Sequence, residues 1–481
     1  MSYRVQAGVY RVDITPPIGI AMCGYLARNG VSQGIERPLT ATCLVLASGG
    51  AKIAILACDV MAVFHPDADW IRRRVAEETG TTPESVLINA SHTHCGPTMR
   101  RDYSWESAEQ RSLQDTYTNN LRELLVGCAV AADCRLQPAR LGTGTGTARI
   151  GINRRETDPE SGKVFLGENP DGPMDPSTGV IRVDDLGGRP LAIVFTYGCH
   201  TVTMGPKFLN LTPDYPGPAR DLIEYATGAK AIFLQAAGGN INPVTGIGAT
   251  EDDSADMIRL GHILGAAAIE TAMTIRTGTR RGDPVIFQSL TRNRMYPWIP
   301  VEDRDLALGA AGEVAALPLV DPPSVEDARG ILAQRTRMLE DARREGRPVH
   351  MLAFFHRFRD WAELLLREVE AGKLALTVDV NLQALRIGDM AIAAAAGETL
   401  VELGLRVKAA SPFAATHFLG YSNGCIGYIP SAEHYPDEGW SPWETYLVPD
   451  MLCQSYMLPM HVSPAASGLV VDRCVSLLRS L

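Results

Sequence analysis

The sequence predicts an α/β fold, with layered mixed β-sheets flanked by α-helices and a helical insertion. Three observations carry this. Apolar runs of strand length alternate with amphipathic helical patterns through most of the 481 residues. With 46% hydrophobic and 21% charged residues the chain can bury a large core, yet it holds no apolar run near the ~18–20 residues of a membrane span. No internal repeat or low-complexity linker divides it.

The elements follow in order. Ala51 to Met61 is an apolar run of strand character. Asp67 to Thr79 has helical spacing and is closed by Gly80, and Ser85 to Ala90 is again strand-like. Gly142, Gly144 and Gly146 lack the Lys-Ser/Thr of a phosphate loop and the strand-to-helix context of a dinucleotide fingerprint, so they read as a bent strand. Residues 293–372 read as the helical insertion. There Ser324 resembles an N-cap, with Val325, Ala328, Leu332, Arg335 and Leu339 on one face and Gly346 as the stop. A second pattern carries Phe358, Trp361, Ala362, Leu365 and Val369 and stops at Gly372. A packed helical pair is the plain reading of this insertion; a lid, or an arm that forms a homo-oligomer, is the sharper one.

Charge and cysteine usage narrow the function classes. Forty-five Lys plus Arg against 55 Asp plus Glu leave a net charge of −10 without a basic patch, which excludes nucleic acid as an expected partner. The opening residues lack a basic segment followed by an apolar stretch, and the ten cysteines never form C-x-x-C, so a cytoplasmic protein with reduced, buried thiols is expected. Sequons at Asn89 and Asn210 lie close to the chemistry-bearing residues, where glycans would obstruct.

Five apolar runs end in such residues. Val86 to Ala90 leads to Ser91-His92-Thr93-His94-Cys95-Gly96-Pro97, and Leu191 to Tyr197 leads to Gly198-Cys199-His200. Ala231 to Leu234 leads to Gln235 through Asn240, Met390 to Ala396 to Gly397-Glu398-Thr399, and Thr416 to Tyr421 to Ser422 through Tyr428. Ligands of α/β sheets gather beyond the carboxyl ends of strands, so these five ends are expected to share one cleft. His92 and His94 are two apart, which in an extended segment aims both rings to one side. With His200 and Glu398 they supply the imidazoles and carboxylate of a hydrolytic zinc site. Each histidine alone is more often a hydrogen-bonded surface or core residue than a ligand, and only the joint placement points to metal. No G-x-S-x-G elbow supports a serine hydrolase, and Cys95 reads as a small buried turn residue.

These residues resemble the neutral (non-lysosomal) ceramidases over most of their catalytic domain. The likeness is carried by Gly8 to Pro17, Met22-Cys23-Gly24-Tyr25, Ser32 to Ile35, the Ser91 to Pro97 block, Asn153-Arg154, Cys199-His200, Gln235 to Asn240, Gly397-Glu398-Thr399 and Tyr428. The resemblance implies an amide hydrolase with one catalytic zinc ion. By it, His92, His200, Glu398 and Tyr428 would be ligands, while His94 and Arg154 would contact the scissile carbonyl and the oxyanion. Asp59, Asp214 and Asn240 are candidates for holding the ligands from behind. Three departures are visible. The family serine in the block matching Gln235 to Asn240 is missing. No tyrosine aligns at Pro436 to Gly439, where Tyr435 or Tyr446 would have to substitute, and the C-terminal immunoglobulin-like domain is not expected. The chain therefore reads as a single catalytic domain over 1–481, acting on a small-molecule amide through metal-activated water and without stable membrane insertion. An esterase or lactonase at the same site, or a non-catalytic ligand-binding descendant, are the alternatives, and a membrane sphingolipid is the less expected substrate.

Overall fold

The computed structural model describes residues 5–25, 28–97, 99, 107–301, 305–435 and 453–481. Its largest sheet takes, along the chain, β1 (Val5–Asp13), β2 (Thr40–Ser48), β3 (Ala51–Cys58), β4 (Val86–Ala90), β5 (Gln137–Thr147), β6 (Ser177–Asp185), β7 (Pro190–Tyr197) and β8 (Lys230–Gln235). They lie side by side as β8-β7-β6-β5-β1-β2-β3-β4. A second sheet holds β9 (Leu308–Pro318), β10 (Thr377–Ile387), β11 (Met390–Ala395) and β12 (Ala415–Leu419), in chain order. Three neighbouring pairs are parallel, β3 with β4, β7 with β8, and β11 with β12, and each needs a helical crossover.

Side-chain alternation sets the layers. On β2, Ala41, Cys43 and Val45 face outward into a core under α1 (Asp67–Thr79) and α2 (Ala108–Asp133). Leu44 and Leu46 face the other way and meet Leu385, Ile387 and Ile392 of the second sheet. At the other end of the large sheet, Ile193, Phe195 and Phe233 pack under α3 (Pro216–Thr227) and α4 (Ser254–Thr274). The outer face of the second sheet, with Leu382, Ala384 and Ala393, is covered by residues of α5 (Val325–Arg344), α6 (Val349–Glu370), α7 (Val401–Ala410) and α8 (Ala465–Arg479). The result is helices, sheet, sheet, helices; β2, β3, β4, β7, β8 and β11 are buried on both faces, and this is why they read as unbroken apolar runs. The three glycines of β5 are strand residues; a side chain at Gly142 or Gly146 would collide with Ile275 or Thr271 at the C-terminal end of α4.

The helical insertion is narrower than residues 293–372. Its helical part begins at Val325, and Leu308–Pro318 is β9, paired along its whole length with β10. The small residues Gly309, Ala310, Ala311 and Gly312 give that strand no clear alternation of size or polarity, so its period was not visible. Helices α5 and α6 thus fill the connection between two antiparallel neighbours. Ser324 caps α5 as expected, its Oγ accepting from the Asp327 N–H at 3.1 Å. The pair is tied to the body by buried Trp361, whose Nε1–H donates to the Leu458 carbonyl at 2.7 Å. All ten cysteines are free. Among the described residues no helix is long and apolar enough to cross a membrane.

Candidate metal centre

The expected strand ends do converge, and a buried asparagine ties them. The Asn89 side chain, on β4, donates to the carbonyls of Gln235 and Gly420 and to Ser422 Oγ, and accepts from the Gln235 N–H at 2.7 Å. One residue thereby locks the ends of β4, β8 and β12 together across the two sheets. Wholly buried, Asn89 cannot carry a glycan in the folded chain.

His92 lies just beyond β4. Its backbone N–H is held by the Val60 carbonyl, and its Nδ1 lies 2.9 Å from the Met61 carbonyl. His200 lies beyond β7, with Nδ1 2.8 Å from the Gly238 carbonyl. A carbonyl can only accept, so both Nδ1 atoms carry the proton and both Nε2 atoms present a lone pair. Those lone pairs face Glu398 Oε2, at 3.2 Å from His92 and 3.3 Å from His200. Glu398 opens a two-residue strand paired in parallel with Tyr428–Ile429, so Glu398 and Tyr428 are register partners. The Tyr428 hydroxyl is 3.5 Å from His200 Nε2. His94 brings its Nε2 to 3.3 Å from His92 Nε2.

The donor set fits a metal ion. A tetrahedral ion with ligands at about 2.0–2.1 Å separates them by roughly 3.3 Å, which is the spacing found here. His92 and Glu398 are each 1% exposed, and Glu398 Oε2 has no hydrogen-bond partner among the described residues. Electron-rich atoms this close, dry and without a proton between them call for a cation. His92, His94 and His200 all offer nitrogens within 4.8 Å of one another, so His94 is within reach of the same ion. Electrostatics agree. Burial alone would raise the Glu398 carboxyl; positive charge at the two rings holds it well below the usual range, a charge that a cation between the Nε2 atoms would supply. Burial, and then Arg154, push His200 down to about 4. Burial, with His92 and His200 beside it, also holds His94 well below the usual imidazole value, leaving it neutral.

Arg154, on the strand Gly151–Thr157, donates to the Tyr428 hydroxyl at 2.9 Å and to Asn242 Oδ1 at 3.4 Å. Its backbone N–H is bound by the Asn240 carbonyl, while the Asn240 side chain accepts from Val401 N–H and donates to the Glu402 carboxylate. Asn240 therefore joins the arginine strand to the start of α7, which follows Glu398. Asp59 and Asp214 sit one step further out and do not contact the rings. Asp59 pairs with Arg220 at 2.8 and 3.0 Å and accepts from the Thr40 N–H, bracing the loop that carries Met61. Asp214 accepts from Thr203, Met204 and Tyr215, and burial raises it to about 6. The rings are oriented by backbone carbonyls instead.

Two expectations change. The segment after β4 is not extended: His92 has φ 61, and the two rings meet edge to face at 4.9 Å through this left-handed turn. Tyr435 does not reach the centre; its hydroxyl donates to the Val462 carbonyl. Tyr446 and Pro436 to Gly439 lie outside the described residues. Besides Tyr428, a further tyrosine touches the centre, Tyr456, whose hydroxyl donates to Glu398 Oε1. Nothing in its sequence context, on a single turn of helix at Cys453–Tyr456, marks it. Asn242, next to the block ending at Asn240, was also missed. Tyr456 is shared with a cavity of about 790 Å³ whose walls include Phe64, Ile426 and Leu458 and whose polar side carries His65, Asp69 and Asn381.

Scaffold and site together define an α/β protein of four layers with a buried histidine and carboxylate centre at the junction of its two sheets. The chain belongs to the neutral/alkaline non-lysosomal ceramidase family, whose N-terminal model matches residues 3–259. Neutral ceramidase A of Dictyostelium discoideum is 27% identical over 264 residues, covering 51% of this chain and 36% of that protein. Neutral ceramidase of Pseudomonas aeruginosa is 24% identical over 490 residues, covering 93% of this chain and 70% of that protein. The match to the Dictyostelium relative therefore spans about a third of that protein's length. A crystal structure of the Pseudomonas aeruginosa protein superposes with a TM-score of 0.65 at 20% identity, over 100% of this chain and 75% of that one. A second structure, of a ceramidase complexed with C2, gives 0.64. These last two establish the shared fold.

Proposed function

We propose that this chain is a metal-dependent hydrolase that cleaves the amide bond of an N-acyl amide, with zinc held by His92, His200, Glu398 and Tyr428. The observation that carries the reading is the buried meeting of two imidazole lone pairs with the Glu398 carboxylate at 3.2–3.3 Å, in a member of the ceramidase family. Bound there, zinc would polarise the scissile carbonyl and bring the pKa of a water down to about 7.

The remaining work falls to the chain. The Met61 and Gly238 carbonyls fix the tautomers, so the imidazoles need not reorganise. Arg154, itself held by Asn242 and Tyr428, is a preset positive charge beside the donor atoms and would take charge developing on the carbonyl oxygen. His94 is neutral and buried, with one nitrogen protonated and one not. It would carry a proton to the leaving amine, because it contacts His92 without lying against Glu398 as the other two rings do. The cavity bounded by Tyr456 is large enough for a drug-sized ligand. We read residues 1–481 as one catalytic unit, since its working residues run from His92 to Tyr428 and both sheets supply them.

The test is a panel of N-acyl amides of graded chain length, ceramide included, with matched esters and a His92→Ala control. Amide turnover that vanishes in the control is expected. Turnover of the esters alone would replace the amidase reading with an esterase one.

A further inference from the structure

Seven of the eighteen exposed large hydrophobic side chains among the described residues fall in one short stretch, Val285 to Trp298. Residues 283–298 are exposed without exception. They form the end of a two-stranded ribbon that leaves the body after α4. Thr279–Arg281 pairs with Trp298–Pro300 at its base, and Val285–Gln288 with Arg292–Met295 at its tip. Leu290, at the turn, is 103% exposed.

The register makes the tip two-faced. Val285 opposes Met295 and Phe287 opposes Asn293 on one face, which is therefore apolar; Ile286 opposes Arg294 and Gln288 opposes Arg292 on the other, which is basic. Farther down, the Arg276 guanidinium stacks 3.9 Å over Trp298 and that of Arg281 4.1 Å over Tyr296. An isolated two-stranded ribbon is marginal in water, and among the described residues neither outer edge of this one is paired. Its apolar area and its open edges are left without a complement among the described residues, and none of its arginines meets a carboxylate there.

We propose that this ribbon is a docking arm that lies against a second copy of the same chain. Charge favours that occupant. Residues 276–300 hold five arginines and one aspartate, +4 in all, while the remaining residues carry −14 of the chain's net −10. A second copy thus carries the excess of acidic groups that the arm lacks. The open edges also favour a protein over a bilayer, because only a protein can hydrogen-bond a row of free backbone groups in a dry contact. Sixteen successive exposed residues approach the ~20 per side that a standard interface uses. This assigns association to the segment ahead of β9 and not to the α5 and α6 pair.

Analytical ultracentrifugation of the full chain at micromolar concentration tests the proposal, alongside a Phe287→Asp, Leu290→Asp, Met295→Asp variant. A wild-type dimer is expected, with self-association weakened at least about 100-fold in the variant and an unchanged melting temperature. If the variant folds poorly, hydrogen exchange on the wild type decides instead: amides 285–295 should gain protection as concentration rises. A monomeric wild type, a dimer indifferent to the three substitutions, or exchange independent of concentration would overturn the proposal. So would a monomer whose arm is needed for flotation with phosphatidylglycerol vesicles.

Discussion

Replacing Gly24 by alanine should separate the position of His94 from the presence of the metal. Gly24 has φ +97, and a Cβ built on it would lie 2.5 Å from His94 Nδ1 and 2.7 Å from His94 Cβ, where ordinary contact is 3.4–4 Å. Its nearest atom, His94 Cγ, would be at 2.4 Å, so something must give by about 1.0 Å to reach 3.4 Å. The glycine cannot easily retreat. Cys23 N–H is bound to the Gly96 carbonyl at 3.0 Å, Arg28 joins the Cys23 and His94 carbonyls, and Tyr25 OH donates to the Met204 carbonyl. The His94 ring therefore moves. A misplacement of about 1 Å in a reacting group costs on the order of 10²-fold in turnover, while the left-handed backbone adds roughly 1–3 kcal/mol of strain for a side chain. His92, His200 and Glu398 are held by other carbonyls and strands, so metal content should not change. The assay pairs kcat on an amide substrate with zinc per chain by mass spectrometry. Turnover within about threefold of wild type, at full zinc content, would refute the role given to His94 and to the turn that backs it.

Three further outcomes follow from the same geometry. His94→Ala should keep its zinc and lose about 10²–10³ of its rate, whereas loss of zinc would make His94 a ligand. Arg220→Ala leaves the Asp59 carboxylate buried without its partner, and chemical denaturation should show a loss of about 3–5 kcal/mol. His417 is buried, and burial followed by the Lys408 charge pushes it down to about 4. The unfolded chain therefore binds its proton first, so stability falls as pH drops from about 6.5 to about 4. His417→Gln should flatten that acid limb by up to about 3 kcal/mol, measured as the difference between denaturation curves at pH 4.5 and pH 7; parallel curves would contradict it.

The parts of the site legible in the sequence are those that physics places at strand ends. Long apolar runs announced β4, β7, β8, β11 and β12, and the polar residues after them collected because parallel pairs point their carboxyl ends the same way. Arg154 and Tyr428 came from family resemblance, since an arginine mid-strand and a lone tyrosine carry no signal of their own. What stayed hidden has no periodicity to betray it. Tyr456 reaches Glu398 from a single helical turn, and Asn89 locks three strands from a position that reads as one more strand residue. Strand β9 was hidden by its small side chains. Gly24 could be read as a turn, but only the closeness of His94 explains why the turn needs glycine.

The central claim is that His92, His200 and Glu398 form a metal cradle. Metal analysis of purified wild type, His92→Ala and His200→Ala, each checked for folding by circular dichroism, tests it directly. One zinc per wild-type chain and near-complete loss in both folded variants are expected. A folded wild type without stoichiometric metal, or a His200→Ala variant that keeps it, would contradict the account.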